Sequence, residues 1–190
     1  MSNPSHEDWI ETEGGIEHPT HIETLMKPEQ QARIQWLKGH CYMVYEVLDI
    51  GCNWGYVLNE IGGMTGVDKN IENIDKGMRE FPHLHFVQGD ITEGLPFDDN
   101  QYAIVVLADV LEHIEFWRVP QSLKEAMRIA RHKLLITLPW KQIEDCAGCF
   151  KHAWVPSVGY LGVAINILMG LGRKTSIECD DYFVYMEVWK

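Results

Sequence analysis

Positive charge is scarce in this sequence: 16 of its 190 residues are Lys or Arg against 28 Asp or Glu, a formal net charge of −12 at pH 7. A surface this acidic repels phosphate backbones at long range, so nucleic acid is disfavoured as a partner except through a local basic patch. Long apolar runs are missing as well. The longest, Val158 to Leu171, contains Asn166 and three glycines and falls short of the roughly 20 residues needed to cross a bilayer. It reads as a buried helix, and no membrane partner is expected. The opening MSNPSHEDWIETEGG has neither the basic start and apolar core of a secretory signal nor the Arg-rich character of a transit peptide, which points to the cytoplasm. Five cysteines, an odd number, argue for free thiols or ligands rather than a disulfide framework.

What remains is the composition of a folded domain, 46% hydrophobic and 23% charged. A chain of this length buries roughly 70% of the surface its unfolded form exposes and supports its own core. Residues 1–27 are polar and aperiodic, an arm either mobile or laid over a site. Residues 28–190 form the single domain. Pro28 suits the first turn of a helix, and Ala32, Ile34, Trp36 and Leu37 give that helix an apolar stripe. Apolar, largely β-branched runs at 47–50, 63–67, 84–88, 102–108 and 133–139 then alternate with helical patterns near 55–62, 71–79 and 120–131. Strands with continuous apolar character, separated by helices, are those of a parallel sheet covered on both faces, so the fold class is α/β, doubly wound. The last stretch, KTSIECDDYFVYMEVWK, alternates on a two-residue period around Asp180 and Asp181 and reads as an antiparallel hairpin closing the sheet.

VLDIGCNWGY at 47–56 places a buried strand ending near Asp49 before a turn in which Gly51 and Gly55 allow sharp backbone and close approach of a ligand. Asn53 stands where a third glycine is usual, and Asn tolerates left-handed geometry. By itself this is also what a tight strand-to-helix turn looks like. Asp68 follows the next strand and suits vicinal ribose hydroxyls; Asp90 follows the third. Ligands of open α/β sheets bind at those carboxyl ends, although either acid alone would equally serve as a cap.

Together with LPFDDNQYAIVVLADVLEHI at 95–114 and LLITLPW at 134–140, these motifs resemble the class I S-adenosylmethionine-dependent methyltransferases, in particular the small ubiquinone-type O-methyltransferase-like group. The resemblance covers residues 46–140. It implies a seven-stranded, mostly parallel sheet and S-adenosyl-L-methionine as cofactor, with S-adenosyl-L-homocysteine as product. Carried over, it puts Asp49, Gly51, Cys52, Asn53 and Gly55 around the methionine part. Asp68 would take the ribose, Lys69 and Asn70 would flank the adenine, Asp90 and Ile91 would take the adenine amino group and a ring face, and Leu107, Ala108 and Asp109 would line the sulfonium. Asn53 departs from the family pattern and bears on the shape of the first loop. The absence of a full G-x-G-x-x-G turns the reading away from dinucleotides. LADVL in place of an Asn/Asp-Pro-Pro-aromatic motif turns it away from nucleobase amino-methyltransferases.

The expected reaction is methyl transfer to a small molecule, most readily at oxygen. A non-catalytic cofactor-binding regulator of the same fold and a protein side-chain methyltransferase are the alternatives. His113 is the candidate base, with an ordinary pKa near 6.5, and packing beside the cofactor is its plainer role. His152, with Trp140 and Trp154, is the candidate for the acceptor wall, core packing being the plainer fate of the tryptophans. Asp109, Glu112, His113 and His152 resemble a divalent-metal set of relatives carrying E-x-x-E-H, although many relatives with the Glu-His pair need no metal. Cys146, Cys149 and His152 have zinc-ligand spacing but lack a fourth ligand, which His18 or His21 on the arm would have to supply.

Overall fold

The computed structural model describes residues 25–139, 166–167 and 174–190. Helix α1 (Pro28–Cys41) starts with Pro at its first turn after an extended Lys27. Strand β1 (Val47–Ile50) and the short helix α2 (Tyr56–Glu60) follow, then β2 (Thr65–Asp68), α3 (Ile71–Glu80), β3 (His85–Gln88) and β4 (Tyr102–Ala108). Single 3-10 turns at Leu111–His113 and Phe116–Arg118 lead into α4 (Val119–Ile129), β5 (Ala130–Pro139), β6 (Lys174–Cys179) and β7 (Phe183–Trp189). The seven strands make one sheet in the order β3-β2-β1-β4-β5-β7-β6. The first five run parallel, β7 is antiparallel to β5, and β6 is antiparallel to β7.

The doubly wound sheet and its closing hairpin are as the sequence predicts. Asp180 makes the hairpin turn itself: its Oδ1 accepts the N–H groups of Tyr182 and Phe183 at 2.7 Å each, and its Oδ2 accepts the Tyr185 hydroxyl at 2.6 Å. Those bonds hold its carboxyl below the usual range although burial opposes them. Some details differ. The second strand begins at Thr65, not 63. The helix expected over 120–131 ends at Ile129, because Ala130 already pairs with Tyr102 of β4 and leaves no room for a turn. On α1 the inward face is Gln30, Arg33, Ile34, Leu37 and Cys41, while Ala32 is exposed and Trp36 half-buried.

Alternation along the strands decides what reaches which side. Leu48 and Ile50 of β1, Val105 and Leu107 of β4, and Leu134, Ile136 and Leu138 of β5 pack with Leu123, Ala126 and Met127 of α4. Val47, Ile104, Val106 and Leu135 pack on the opposite face with Leu37 and Cys41 of α1. Each such fully buried aliphatic side chain contributes about 1.5–3 kcal/mol of hydrophobic transfer. By the same alternation, Asp49 and Thr137 face α1. A third cluster gathers Cys52, Ile74 and Phe86 under α3. Of the apolar stretch 158–171, residues 166 and 167 are helical and Ile167 packs on the larger core; the rest lies outside the described residues, as do 1–24. Among the described residues, no helix is long and apolar enough to cross a membrane.

Candidate active site

The carboxyl ends of β1, β2 and β4 open into a cavity of about 580 Å³. Its floor is the turn after β1. Gly51 stands at φ 78°, and a Cβ there would meet Val110 Cγ2 at 2.5 Å. The N–H groups of Gly51 and Cys52 both donate to Val67 O, at 2.7 and 2.9 Å, which folds the loop onto β2. Asn53 takes the left-handed conformation at φ 52°, so the residue that replaces the usual glycine keeps the turn. Its N–H donates to Asp68 Oδ2 at 2.8 Å.

Asp68 ties two loops together. Besides Asn53, its Oδ1 accepts Asn70 N–H at 2.8 Å and Asn73 Nδ2 at 3.2 Å, leaving about one of the four acceptor positions of a carboxylate free. Asn70 caps α3, its side chain accepting Glu72 N–H at 3.0 Å. Asp90 closes a local turn through Thr92 N–H at 2.8 Å. Both the capping and the ligand-facing roles considered for these residues are therefore compatible with one placement, since all of them also line the cavity.

The expected cofactor residues line this cavity together except for two. Leu107 is fully buried in the α4-side core, because alternation turns it away from the face that carries Ala108. Gly55 lies beneath the loop at φ 89°, where a Cβ would meet Phe86 Cζ at 2.6 Å; it is a packing glycine at the start of α2. Cys52 lines the cavity, and burial pushes its thiol well above the ordinary range.

Two buried acids point to what the cavity accepts. Asp49 is 1% exposed and, among the described residues, its Oδ1 has no hydrogen-bond partner. Burial pushes its carboxyl up to about 7, Asp68 raising it further and Arg33 opposing. Glu112 is likewise 1% exposed, its Oε2 without a partner among the described residues, and burial, then Asp109, raise its carboxyl well above the usual range. Unpartnered buried acceptors are costly, and a cationic ligand would satisfy them.

The residue the sequence reading missed is Arg33. It is 3% exposed and reaches from α1 into the cavity wall. Its Nη1 lies 3.1 Å from Asp109 Oδ2, while Asp109 Oδ1 accepts the Thr137 hydroxyl at 2.9 Å. Of the expected metal set, the Asp109 carboxylate is engaged by Arg33 and Thr137, and among the described residues, which do not include His152, no group of three or more His, Cys, Asp or Glu side chains is placed to hold a metal ion. His113 lines the cavity beside Glu112. His152, Trp140, Trp154, Cys146, Cys149, His18 and His21 lie outside the described residues.

A family model described as a methyltransferase domain matches residues 47–133. No curated protein matches the chain by sequence. Its fold is similar to that of a SAM dependent methyltransferase from Aquifex aeolicus, at 18% identity over 90% of this chain and 98% of that one, TM-score 0.66. It is also similar to magnesium protoporphyrin IX methyltransferase from Synechocystis PCC 6803 with bound SAH, at 18% identity over 90% and 83%, TM-score 0.64. An O-methyltransferase family protein from Burkholderia thailandensis aligns at 11% identity over 90% and 59%, TM-score 0.70.

Proposed function

We propose, for a chain whose fold and residues 47–133 resemble the class I S-adenosylmethionine-dependent methyltransferases, that it transfers a methyl group from S-adenosylmethionine to a small-molecule acceptor, at oxygen. The observation that carries the reading is the convergence of Asp49, Asp68, Asp90 and Glu112 on one cavity at the carboxyl ends of the parallel strands. The cofactor supplies a methyl group on a cationic sulfonium together with an ammonium, and the unpartnered oxygens of Asp49 and Glu112 are acceptors of the right sign. Asp68 would take a ribose hydroxyl at its remaining acceptor position, sharing the carboxylate with the loop donors.

For the acceptor, this chain's work is alignment and proton removal. His113, in the cavity wall, is the residue we assign to take the hydroxyl proton. Leu25, Pro139 and Phe183 contribute apolar lining to the cavity, which suits a small organic acceptor. Two relatives support this choice: one is named for a small-molecule substrate and another as an O-methyltransferase. Leu25 is buried at this wall, its carbonyl accepting Gln31 Nε2 at 2.7 Å, and so brings the end of the arm to the cavity. The test is transfer of a radiolabelled methyl group from S-adenosylmethionine to lysate fractions. Label in the small-molecule fraction, stable to base treatment that releases methyl esters, is expected; label confined to protein, or none, would overturn the reading.

A further inference from the structure

The two outer strands of the sheet are built differently. β3 (His85–Gln88) has four residues, and shortness is one of the ways proteins keep an edge from pairing with another chain. β6 (Lys174–Cys179) has six and contains no proline. It pairs with β7 in an unbroken register from Lys174↔Trp189 to Cys179↔Val184, so no bulge bends it away. Its other edge has no partner strand among the described residues. Lys174, Ile177, Glu178 and Cys179 are exposed along it. A regular, open edge of this kind is a template for one more strand.

The charges on β6 decide which strand. Thr175, Ile177 and Cys179 pair with Val188, Met186 and Val184, which belong to the core under α4, and lie on that face of the sheet. Lys174, Ser176 and Glu178 share the opposite face. Lys174 lies against the sheet there, its Nζ 5.0 Å from the centre of the Trp189 ring. Lys174 and Glu178 flank Ser176 at equal distance in the strand. When β6 meets a second copy of itself antiparallel, with a two-fold axis at Ser176, each Lys174 stands opposite Glu178 of the partner subunit. On the other face each Ile177, 41% exposed in the single chain, stands opposite Thr175 of the partner subunit. An axis at Lys174 or at Glu178 would instead set like charges directly opposite, which is destabilising. A strand with one sign of charge blocks its own edge; β6 carries both signs in the spacing that self-pairing requires.

We propose that β6 is a dimerisation edge: two copies of this chain join antiparallel through it about Ser176, and the sheet continues from one protomer into its partner.

Sedimentation equilibrium of the full chain tests this. The wild type dimerises within the micromolar to submillimolar range. Lys174→Glu and Glu178→Lys each turn both attractive pairs repulsive and weaken the dimer by roughly tenfold or more. Mixed together, the two variants associate as the wild type does, because each supplies the charge the other lacks; Lys174→Glu/Glu178→Lys restores the dimer in one chain. Both positions are exposed, and thermal unfolding checks that each variant is folded. A second measurement needs no charge reversal. Ser176→Cys in a Cys179→Ser background forms a disulfide between subunits on mild oxidation, whereas Cys179→Ser alone does not, since residues facing each other on the axis have Cβ atoms about 4.5–5.5 Å apart. The proposal is overturned by a wild type that is monomeric throughout that range, by a dimer that neither reversal weakens, by reversed variants that do not associate when mixed, or by a dimer that Ser176→Cys does not cross-link.

Discussion

Asp49→Asn should make the protein more stable and a poorer binder at the same time. The carboxyl is 1% exposed, and burial, reinforced by Asp68 and opposed by Arg33, raises it from an ordinary 3.8 to about 7. An acid raised in this way keeps its proton in the folded chain at pH values where the unfolded chain has lost it. Its contribution to stability is therefore whole below pH 3.8 and is lost as the pH rises to about 7. At about 1.4 kcal/mol per pH unit, the loss reaches about 4 kcal/mol once the folded carboxyl ionises. Asparagine has the same shape and never ionises, so urea unfolding should show the variant about 2–4 kcal/mol more stable than wild type at pH 8, after allowance for local relaxation. The gap should be smaller by about 1.4 kcal/mol at pH 6. S-Adenosylhomocysteine should bind the variant more weakly, because the negative charge facing its ammonium is lost. A gap that does not change between pH 6 and pH 8, or a variant less stable than wild type at pH 8, would refute the reasoning.

Gly77→Ala should destabilise by about 1–3 kcal/mol despite the roughly 1 kcal/mol helix-propensity gain, because a Cβ there would meet two ring carbons of Phe86 at 2.6 Å; denaturant midpoints measure it, and an unchanged or raised midpoint would contradict the packing. Asp68→Ala should weaken S-adenosylhomocysteine binding by about 1–3 kcal/mol by calorimetry, and wild-type affinity in that variant would remove the ribose assignment. Deleting residues 1–20 should spare cofactor affinity and lower turnover, since Leu25 brings the end of the arm to the cavity wall; unchanged turnover would detach the arm from the acceptor site.

Strand ends were legible because each carries its own signal: VLDI, YAIVVLA and KLLITLP are apolar runs too continuous for anything but a covered parallel strand, and the acids that follow fall at one edge by topology. Asn53 kept its turn because its side chain tolerates left-handed backbone. Arg33 was hidden by its charge. On α1 the helical spacing of Gln30, Arg33, Leu37 and Cys41 marks one face, but an arginine is ordinarily assigned to water, and its partners Asp109 and Thr137 arrive from strands far along the chain. Leu107 shows the opposite error: a motif names consecutive residues, whereas the strand turns alternate ones to opposite faces, so Ala108 reaches the cavity and Leu107 the core. The start of β5 at Ala130 was invisible because α4 runs into it with no turn residue between them.

Titration of the wild-type protein with S-adenosylhomocysteine by calorimetry tests the central claim most directly. One site per chain, with affinity reduced by Asp49→Asn and by Asp68→Ala, is the expected result, because both acids line the one cavity. Absence of binding by folded protein, or binding that neither substitution alters, would contradict the account.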